Sequence, residues 1–588
     1  MNSIKGQLSI RGVIIGCVGC AIITASSVYV ALKMGALPWP IIFAAILSLF
    51  LLKVVSRGKS TLNEANVTHT IMSSGAMVAG GLAFTIPGAW MLGLGDDISW
   101  VQLIVIAVCG SALGLIGSIA LRRHFIEDAK LEYPIGEAAA KTLEAGDTGG
   151  NTGKKLFGAM AFGGVFALLR DALGIIPRML CQLPIPGVTF GIYCSPMMLA
   201  VGFLVGTGAV VIWFAGAVLG NFGIIVGGTA LGFWDTDTAT QIVSCLGMGC
   251  MMGCGVAVIV KDIIPKGCKL IKDSMRRNSE ESKLLGLTAQ SAKTATCMNF
   301  ASGCSQAHES DVAFEVTKKP LRAAVVTIFV ITCIAIAATL LLGLPPIVSV
   351  VVVACAFVAC AMSAQSVGQT GIDPMEIFGL IVLLLVSLFA QVDELRLFFI
   401  AALVAVACGL AGDVMNDFKA GHVLRTSPKA QWIGQGIGAV IGSVVAVAVI
   451  QVLFVAYGAD SFGVGKEFVS AQASVVATMV GGIPNITAFI IGLAAGFMLY
   501  LVGIPSMMLG LGIYLPFYMS FTAFLGCTVK VIFDLSRKKK LAAMSEEERE
   551  RAEAATSESG LILASGLLGG ESIMGIILAL IVAGGALL

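Results

Sequence analysis

A few ionisable side chains interrupt otherwise apolar runs. Charge in a hydrocarbon core is costly, so such residues default to function, facing a cavity or a partner. Arg170-Asp171 lies within the apolar run 156–176, and Glu571 lies in Gly569-Gly570-Glu571-Ser572 within the last apolar run. Adjacent helical residues point about 100° apart, so Arg170 and Asp171 either each find a further partner or form a structural ion pair. Glu571 has no cation near it in sequence, and a lone intramembrane carboxylate suits a proton carrier or a hydrogen bond to a neighbouring helix. Asn66, Thr68, His69, Thr70, Ser73 and Ser74 form a polar stripe leading into Gly75, Gly80 and Gly81. That pattern predicts a discontinuous helix, the kind that lines substrate sites near the membrane midplane. His69 adds a group that changes charge near physiological pH. Glu571, His69 and Asp171 are therefore the candidate proton-coupling residues.

Candidate substrate contacts follow from hydrogen-bonding capacity. Glu137, Lys141 and Glu144 recur on one face of a short helix over 133–146, either as a binding face or as a salt-bridged one. The short segment 469–482 offers Ser470, Gln472 and Ser474, suited to hydrogen-bonding a peptide backbone. Gln365, Gln369, Thr370, Asp373 and Glu376 surround Gly368 and Gly371-Ile372-Asp373-Pro374, where Gly and Pro predict a helix break. Asp413, Asn416, Asp417, Lys419 and His422 follow another apolar run and read either as a surface loop or as part of a site. Tyr193, Tyr500 and Tyr514 are cavity candidates or interfacial anchors. The substrate-binding set is Asn66, His69, Ser73, Glu137, Gln365, Gln369, Gln472, Tyr193 and Tyr514.

The elements that must hold these residues are membrane helices. The chain is 57% hydrophobic and only 12% charged, against roughly 25% charged in a soluble protein. Apolar runs recur from 9–33 to 559–586; they predict an all-α polytopic membrane protein of roughly sixteen transmembrane helices. The stretches 133–146 and 469–482 are too short or too polar to span and read as re-entrant helices. The runs 189–232 and 505–534 are each long enough for two elements. Many of the 71 glycines recur every four residues, as in Gly110/Gly114, Gly434/Gly438/Gly442, Gly492/Gly496 and Gly566/Gly570, which predicts close helix packing. The 16 cysteines scatter through apolar helices, and Cys17-Val18-Gly19-Cys20 falls inside a span, so they read as packing residues with no metal or disulfide role.

Net charge is +2, so no nucleic-acid partner is implied. No HExxH, nucleophile elbow or phosphate-cradling loop occurs. With no ATP site, energy must come from an ion gradient or substrate flow. No selectivity-filter pattern favours a channel. An intramembrane enzyme would need a compact set of acids, histidines or metal ligands, and the chain has only 4 His.

Two stretches look like copies offset by 310 residues. Pro196-Met197-Met198-Leu199-Ala200-Val201-Gly202-Phe203 aligns with Ser506-Met507-Met508-Leu509-Gly510-Leu511-Gly512-Ile513, and Phe214 and Gly216 then meet Phe524 and Gly526. The loop after the first copy is acidic (Asp235, Asp237), whereas that after the second is basic (Arg537 to Lys540). By the positive-inside rule the copies face opposite ways, as in an inverted repeat. The expected layout is a first membrane repeat over 1–264, a cytoplasmic loop over 265–320, a linker helix over 321–343, and a second repeat over 344–588 with a cytoplasmic loop at 530–558.

Several motifs resemble the oligopeptide transporter (OPT) family, which includes the yellow-stripe-like metal-chelate transporters. They are Val28-Tyr29-Val30-Ala31-Leu32-Lys33-Met34-Gly35, Asn66 to Gly75, Glu132-Tyr133-Pro134-Ile135-Gly136-Glu137-Ala138, and Gly368-Gln369-Thr370-Gly371-Ile372-Asp373-Pro374. The most specific is Asp413-Val414-Met415-Asn416-Asp417-Phe418-Lys419-Ala420-Gly421-His422 with Ser427-Pro428, and Ala564 to Glu571 completes the series in family order. The resemblance implies an ATP-independent, proton-coupled importer of short peptides, glutathione-like peptides or metal chelates. It also implies an inner-membrane location, about sixteen helices and a homodimer, with no cofactor. The chain departs from the family at Ala76, where an acid is expected, and at His69, where Gln is expected. Substrate is expected in a central cavity touched by 64–81, 133–146, 365–376 and 469–482.

Overall fold

A computed structural model describes residues 4–35, 37, 40–147, 152–263, 265, 332–371, 373–463, 465–541 and 546–587. The chain is overwhelmingly helical. The first half carries α1 (Ile10–Met34), α2 (Pro40–Val55), α3 (Leu62–Ala83), α4 (Ile86–Met91), α5 (Trp100–Arg122), α6 (Pro134–Asp147) and α7 (Thr152–Ala167). A hairpin of β1 (Met179–Ile185) and β2 (Val188–Tyr193) follows, then α8 (Pro196–Leu204), α9 (Thr207–Val218) and α10 (Thr236–Val258). The second half carries α11 (Pro346–Thr370), α12 (Met375–Phe389), α13 (Glu394–Val423), α14 (Pro428–Tyr457) and α15 (Ala471–Gly481). It ends with α16 (Ile486–Leu501), α17 (Ser506–Tyr514), α18 (Phe517–Leu541) and α19 (Glu546–Leu587).

Among the described residues, 10 helices are long and apolar enough to cross a membrane, fewer than the roughly sixteen expected from apolar runs of membrane-spanning length. The difference arises where an apolar run is divided or falls short. The run 189–232 supplies a strand, the short α8 and then α9; the run 505–534 supplies the short α17 and then α18. The short helices expected at 133–146 and 469–482 are α6 and α15. The described residues fit an all-α polytopic membrane protein, to which one short antiparallel hairpin is added: Met179 pairs with Tyr193 and Ile185 with Val188. Its second strand, Val188–Tyr193, is rich in β-branched and aromatic residues, and Gly187 makes the turn at φ +73°.

The expected break after His69 sits later than its glycines. α3 runs unbroken through Gly75, Gly80 and Gly81 and stops at Phe84. These glycines serve packing: a Cβ on Gly81 would meet the Val406 backbone nitrogen at 2.6 Å, and the backbones of Gly75 and Gly442 touch. The break at 368–374 is present, with Gly371 capping α11 at φ +73° and Pro374 preceding α12. The basic residues Arg537 to Lys540 extend α18, so the loop expected over 530–558 is mostly helix. The loop expected over 265–320 lies outside the described residues except for Pro265, and Thr332–Leu341 of the expected linker is helical.

The two halves interleave. α7 and α8 pack on α19, and α8 also packs on α18; conversely α16 and α17 pack on α10, and α17 also packs on α9. The close contacts are reciprocal. Gly202 lies against the Ala523 carbonyl and Gly512 against that of Trp213; Gly216 lies against the Leu509 carbonyl and Gly526 against that of Leu199. Phe214 and Phe524 stack on each other, with ring centroids 4.3 Å apart. α13 lies in the middle, touching α3, α5, α6, α11, α12, α14 and α15.

These glycine sites permit a direct test. A side chain at Gly512 must displace backbone, and overpacking a core costs about 1–3 kcal/mol or more. Gly512→Leu and Gly202→Leu should each lower the melting temperature and the monodisperse yield in detergent. Gly436→Ala, which meets nothing within 4 Å, should leave both at wild-type values.

Candidate functional site

Two polar clusters occupy the helical core. The first is centred on Arg170. α7 ends in a widened π-type turn over Leu168–Ala172. There the guanidinium folds back on its neighbour, with Nε donating to Asp171 Oδ1 at 2.9 Å and Nη2 to Asp171 Oδ2 at 2.6 Å. Nη1 still reaches Glu571 Oε1 at 2.8 Å and the Cys194 carbonyl at 2.6 Å. Arg170 and Asp171 therefore form an ion pair, and Arg170 also finds in Glu571 the further partner that straight-helix geometry calls for.

Glu571 is not the lone carboxylate that its sequence surroundings suggest. Ser195, the N-cap of α8, donates its hydroxyl to Oε1 at 2.8 Å, and the Met197 backbone NH donates to Oε2 at 2.7 Å. The carboxylate thus sits at a helix N-terminus, where orphan amides favour an anion. Ionic contacts continue outward. Arg178, before the hairpin, lies 3.7 Å from Asp171 and 3.4 Å from Glu467, and Glu467 pairs with the buried Lys33 of α1. Lys33 also lies 5.1 Å from the Phe468 ring centre, and the Arg170 guanidinium is 5.2 Å from the ring of Tyr193.

The second cluster lies where α3, α13 and α14 meet. Asp417 Oδ2 accepts from the Ser73 hydroxyl at 2.6 Å and the Gln435 amide at 2.5 Å, while Gln431 donates to the Asp417 carbonyl oxygen at 2.6 Å. His69 Nε2 lies 3.1 Å from the Ile41 carbonyl and 3.7 Å from Asp417 Oδ1. Asp413 precedes Asp417 by one helical turn, so the two share a face. Asn416 accepts from the Gly136 NH at the start of α6, at 3.2 Å. Asp373 reaches the same helix: its Oδ1 accepts from Ser363 at 2.7 Å, and its Oδ2 would sit 2.5 Å from a Cβ on Gly412. The segment from Asp413 to His422 is therefore part of a buried helix, which excludes the surface-loop reading for all but its last turn.

The remaining sequence candidates divide. Asn66 is buried and donates to Thr426 at 2.9 Å, tying α3 to the turn before α14. Gln365 and Gln369 lie on the last turns of α11, beside the break. Gln472 reaches the Gly35 carbonyl at 3.4 Å. Glu137 is partly exposed and pairs with Lys419 at 3.3 Å. Tyr193 belongs to the Arg170 cluster, its NH bound to Thr522 at 2.9 Å. Tyr514 is buried against Gly247 on α10, away from His69. Sequence reasoning missed Gln431 and Gln435, although two glutamines four apart inside an apolar glycine-spaced helix are the signal of a polar face. It also missed Lys33, Arg178 and Glu467, which only the hairpin and the loop before α15 bring together.

Comparison with known proteins gives the family. The family model described as OPT oligopeptide transporter protein matches residues 7–582. The chain belongs to the OPT family. It is 25% identical over 629 residues to the "Putative oligopeptide transporter" of Haemophilus influenzae, covering 94% of this chain and 92% of that protein. A 48-residue stretch, 7% of either chain, is 48% identical to the metal-nicotianamine transporter YSL2 of Arabidopsis thaliana. OPT proteins are transporters, so this chain is a multi-pass membrane transporter and not an enzyme.

Two outcomes test the Arg170 cluster. Removing one partner of a buried ion pair costs about 3–5 kcal/mol, so Arg170→Met or Glu571→Gln alone should sharply lower thermal stability in detergent. The double variant should lose less than the sum of the two, since the Glu571 carboxylate is then no longer left charged opposite a missing guanidinium. At the loop, the nearby Lys33 ammonium holds the Glu467 carboxylate below its ordinary range. Its stabilisation is present above about pH 4.3, the unfolded value for Glu, and is lost as pH falls towards the lower folded value. Hydrogen exchange in 459–470 should accelerate only on such acidification, and Glu467→Gln should remove the pH dependence.

Proposed function

We propose that this protein imports short peptides or peptide-like substrates such as glutathione across the inner membrane, driven by protons and built as a homodimer of inverted-repeat subunits. The observation that carries the reading is reciprocal packing. Contacts at Gly202 and Gly512, and at Gly216 and Gly526, repeat at one sequence offset, and Phe214 stacks on Phe524. A two-fold relation makes residue i touch j while the equivalent of i touches the equivalent of j. Opposite loop charge after the copies makes that two-fold an inverting one. Two halves related in this way can rock about their shared axis and open a site to either side.

Substrate lies along α13, contacted from α3, α6, the end of α11 and α15, all of which pack on that helix. Asn66, His69, Ser73, Glu137, Gln365, Gln369 and Gln472 supply hydrogen-bonding groups there. The Arg170–Glu571–Asp171 array, with Tyr193, is an electrostatic latch that joins α7, the hairpin, α8 and α19. Its carboxylates are already engaged by Arg170, which favours an anchoring role for Glu571 and Asp171 over proton carriage. A second reading, a carrier of metal chelates, is favoured by the short stretch of likeness to a metal-nicotianamine transporter. A peptide and a chelate of an amino-acid-derived ligand present the same carboxylate and amine groups to such a site.

Proteoliposomes test both readings. Uptake of labelled tetrapeptide, glutathione or metal–nicotianamine complex should accelerate when the outside is acidified and should collapse on addition of a protonophore. Uptake indifferent to the pH gradient would remove proton coupling, and preference for the chelate would select the second reading.

A further inference from the structure

The cluster on α13 differs from the Arg170 cluster in one respect: several of its carboxylate oxygens have no donor. Asp413 is 3% exposed, and neither carboxylate oxygen has a hydrogen-bond partner among the described residues. Asp417 is fully buried, and its Oδ1 has no hydrogen-bond partner, only His69 Nε2 at 3.7 Å; among the described residues Asp373 Oδ2, Gln435 Oε1 and His69 Nδ1 also lack a hydrogen-bond partner. Almost all of these orphan atoms are oxygen acceptors. What they lack is hydrogen.

The surrounding charges do not supply it. From α3 comes His69, the one group able to become a cation there. From α6 comes Glu137, which with the Leu131 carbonyl engages Lys419 of α13 itself. From the end of α5 comes Arg122, paired with Glu127 at 2.6 Å and lying over the Phe418 ring. The α11–α12 connection contributes two more acids, Asp373 and Glu376. α14 contributes the amides of Gln431 and Gln435. With every acid ionised, even a charged His69 would leave the cluster net negative, at several kcal/mol per unpaired buried ion.

We propose that Asp413, with Asp417 and His69 beside it, is the site where the transported proton resides. This rests on the proton-coupled reading above and gives it a location on α13. That helix touches every segment expected to line the substrate path, so a proton gained or lost at Asp413 changes the charge of the one element they share. Bound substrate and bound proton then favour the same arrangement of the halves, which is what coupling requires.

The test uses full-length protein and two independent readouts. In proteoliposomes, Asp413→Asn should reduce accumulation driven by the pH gradient by about tenfold, within the usual span of coupling free energies between sites. It should keep substrate exchange between compartments of equal pH. In detergent, infrared difference spectra of the wild type across a pH titration should show a protonated-carboxyl band that Asp413→Asn removes and that substrate perturbs. Asp417→Asn and His69→Gln should shift the titration of that band without abolishing it. Wild-type gradient dependence in Asp413→Asn, or wild-type spectra without a titrating carboxyl, would overturn the assignment. A sodium gradient driving accumulation that Asp413→Asn abolishes would overturn the proton and leave a cation site. If the wild type takes up none of the tested substrates, the substrate reading fails alone, and the infrared titration still decides whether Asp413 holds a proton.

Discussion

The structure turns on a helix whose apolar stretch is wholly enclosed by protein. The apolar window of α13 is 100% buried inside the protein. A helix enclosed on every side cannot use solvent or headgroups to satisfy a polar side chain; its neighbours must provide the partners. Asn416 is answered by α6, and Asp417 by α3 and α14. Those demands fix the rotation of three neighbours about α13. The approach of α5 is fixed by shape instead, since Gly110 and Gly114 lie against the carbonyls of Leu403 and Ala407.

The two polar clusters solve the same problem in opposite ways. Around Arg170, donors and acceptors are balanced: one guanidinium, two carboxylates, a serine hydroxyl, a backbone amide and a carbonyl. Such a network rigidifies what it joins. Around Asp413 the balance fails, and a partly satisfied buried network is costly in any state that holds it fixed. A transporter needs both kinds of site: one holds elements together through the cycle, and the other changes state within it.

Much of this was legible in the sequence, and what was hidden has physical causes. Membrane class, the short helices α6 and α15, the split of the long apolar runs and the break at Gly371-Pro374 follow from hydropathy, length and the backbone preferences of Gly and Pro. The paired segments at 196 and 506 were visible as similar strings. Their reciprocal contact was not, because similarity does not say which copy touches which. The β-hairpin was hidden because its second strand lies at the start of the apolar run 189–232 and its first strand in the short gap before that run. The partner of Glu571 was hidden by distance along the chain, and the π-type turn that brings Asp171 onto Arg170 breaks the straight-helix geometry on which spacing arguments depend. The Asp413 group was ambiguous because charges after an apolar run look the same whether the helix ends or continues.

Interleaving of the halves also bears on how the chain is made. Arg170 and Glu571 are separated by 401 residues. At a synthesis rate of about 5–20 residues per second, Arg170 is threaded into the membrane roughly 20–80 s before its partner exists. Asp171 is the neutralising companion for that interval, since the turn that joins them is local. The helices α7 and α8 likewise find their packing surfaces on α18 and α19 only after the intervening chain has been made. The first half is thus born as a loosely packed bundle carrying a provisional charge pair, and α19 is the helix that locks it.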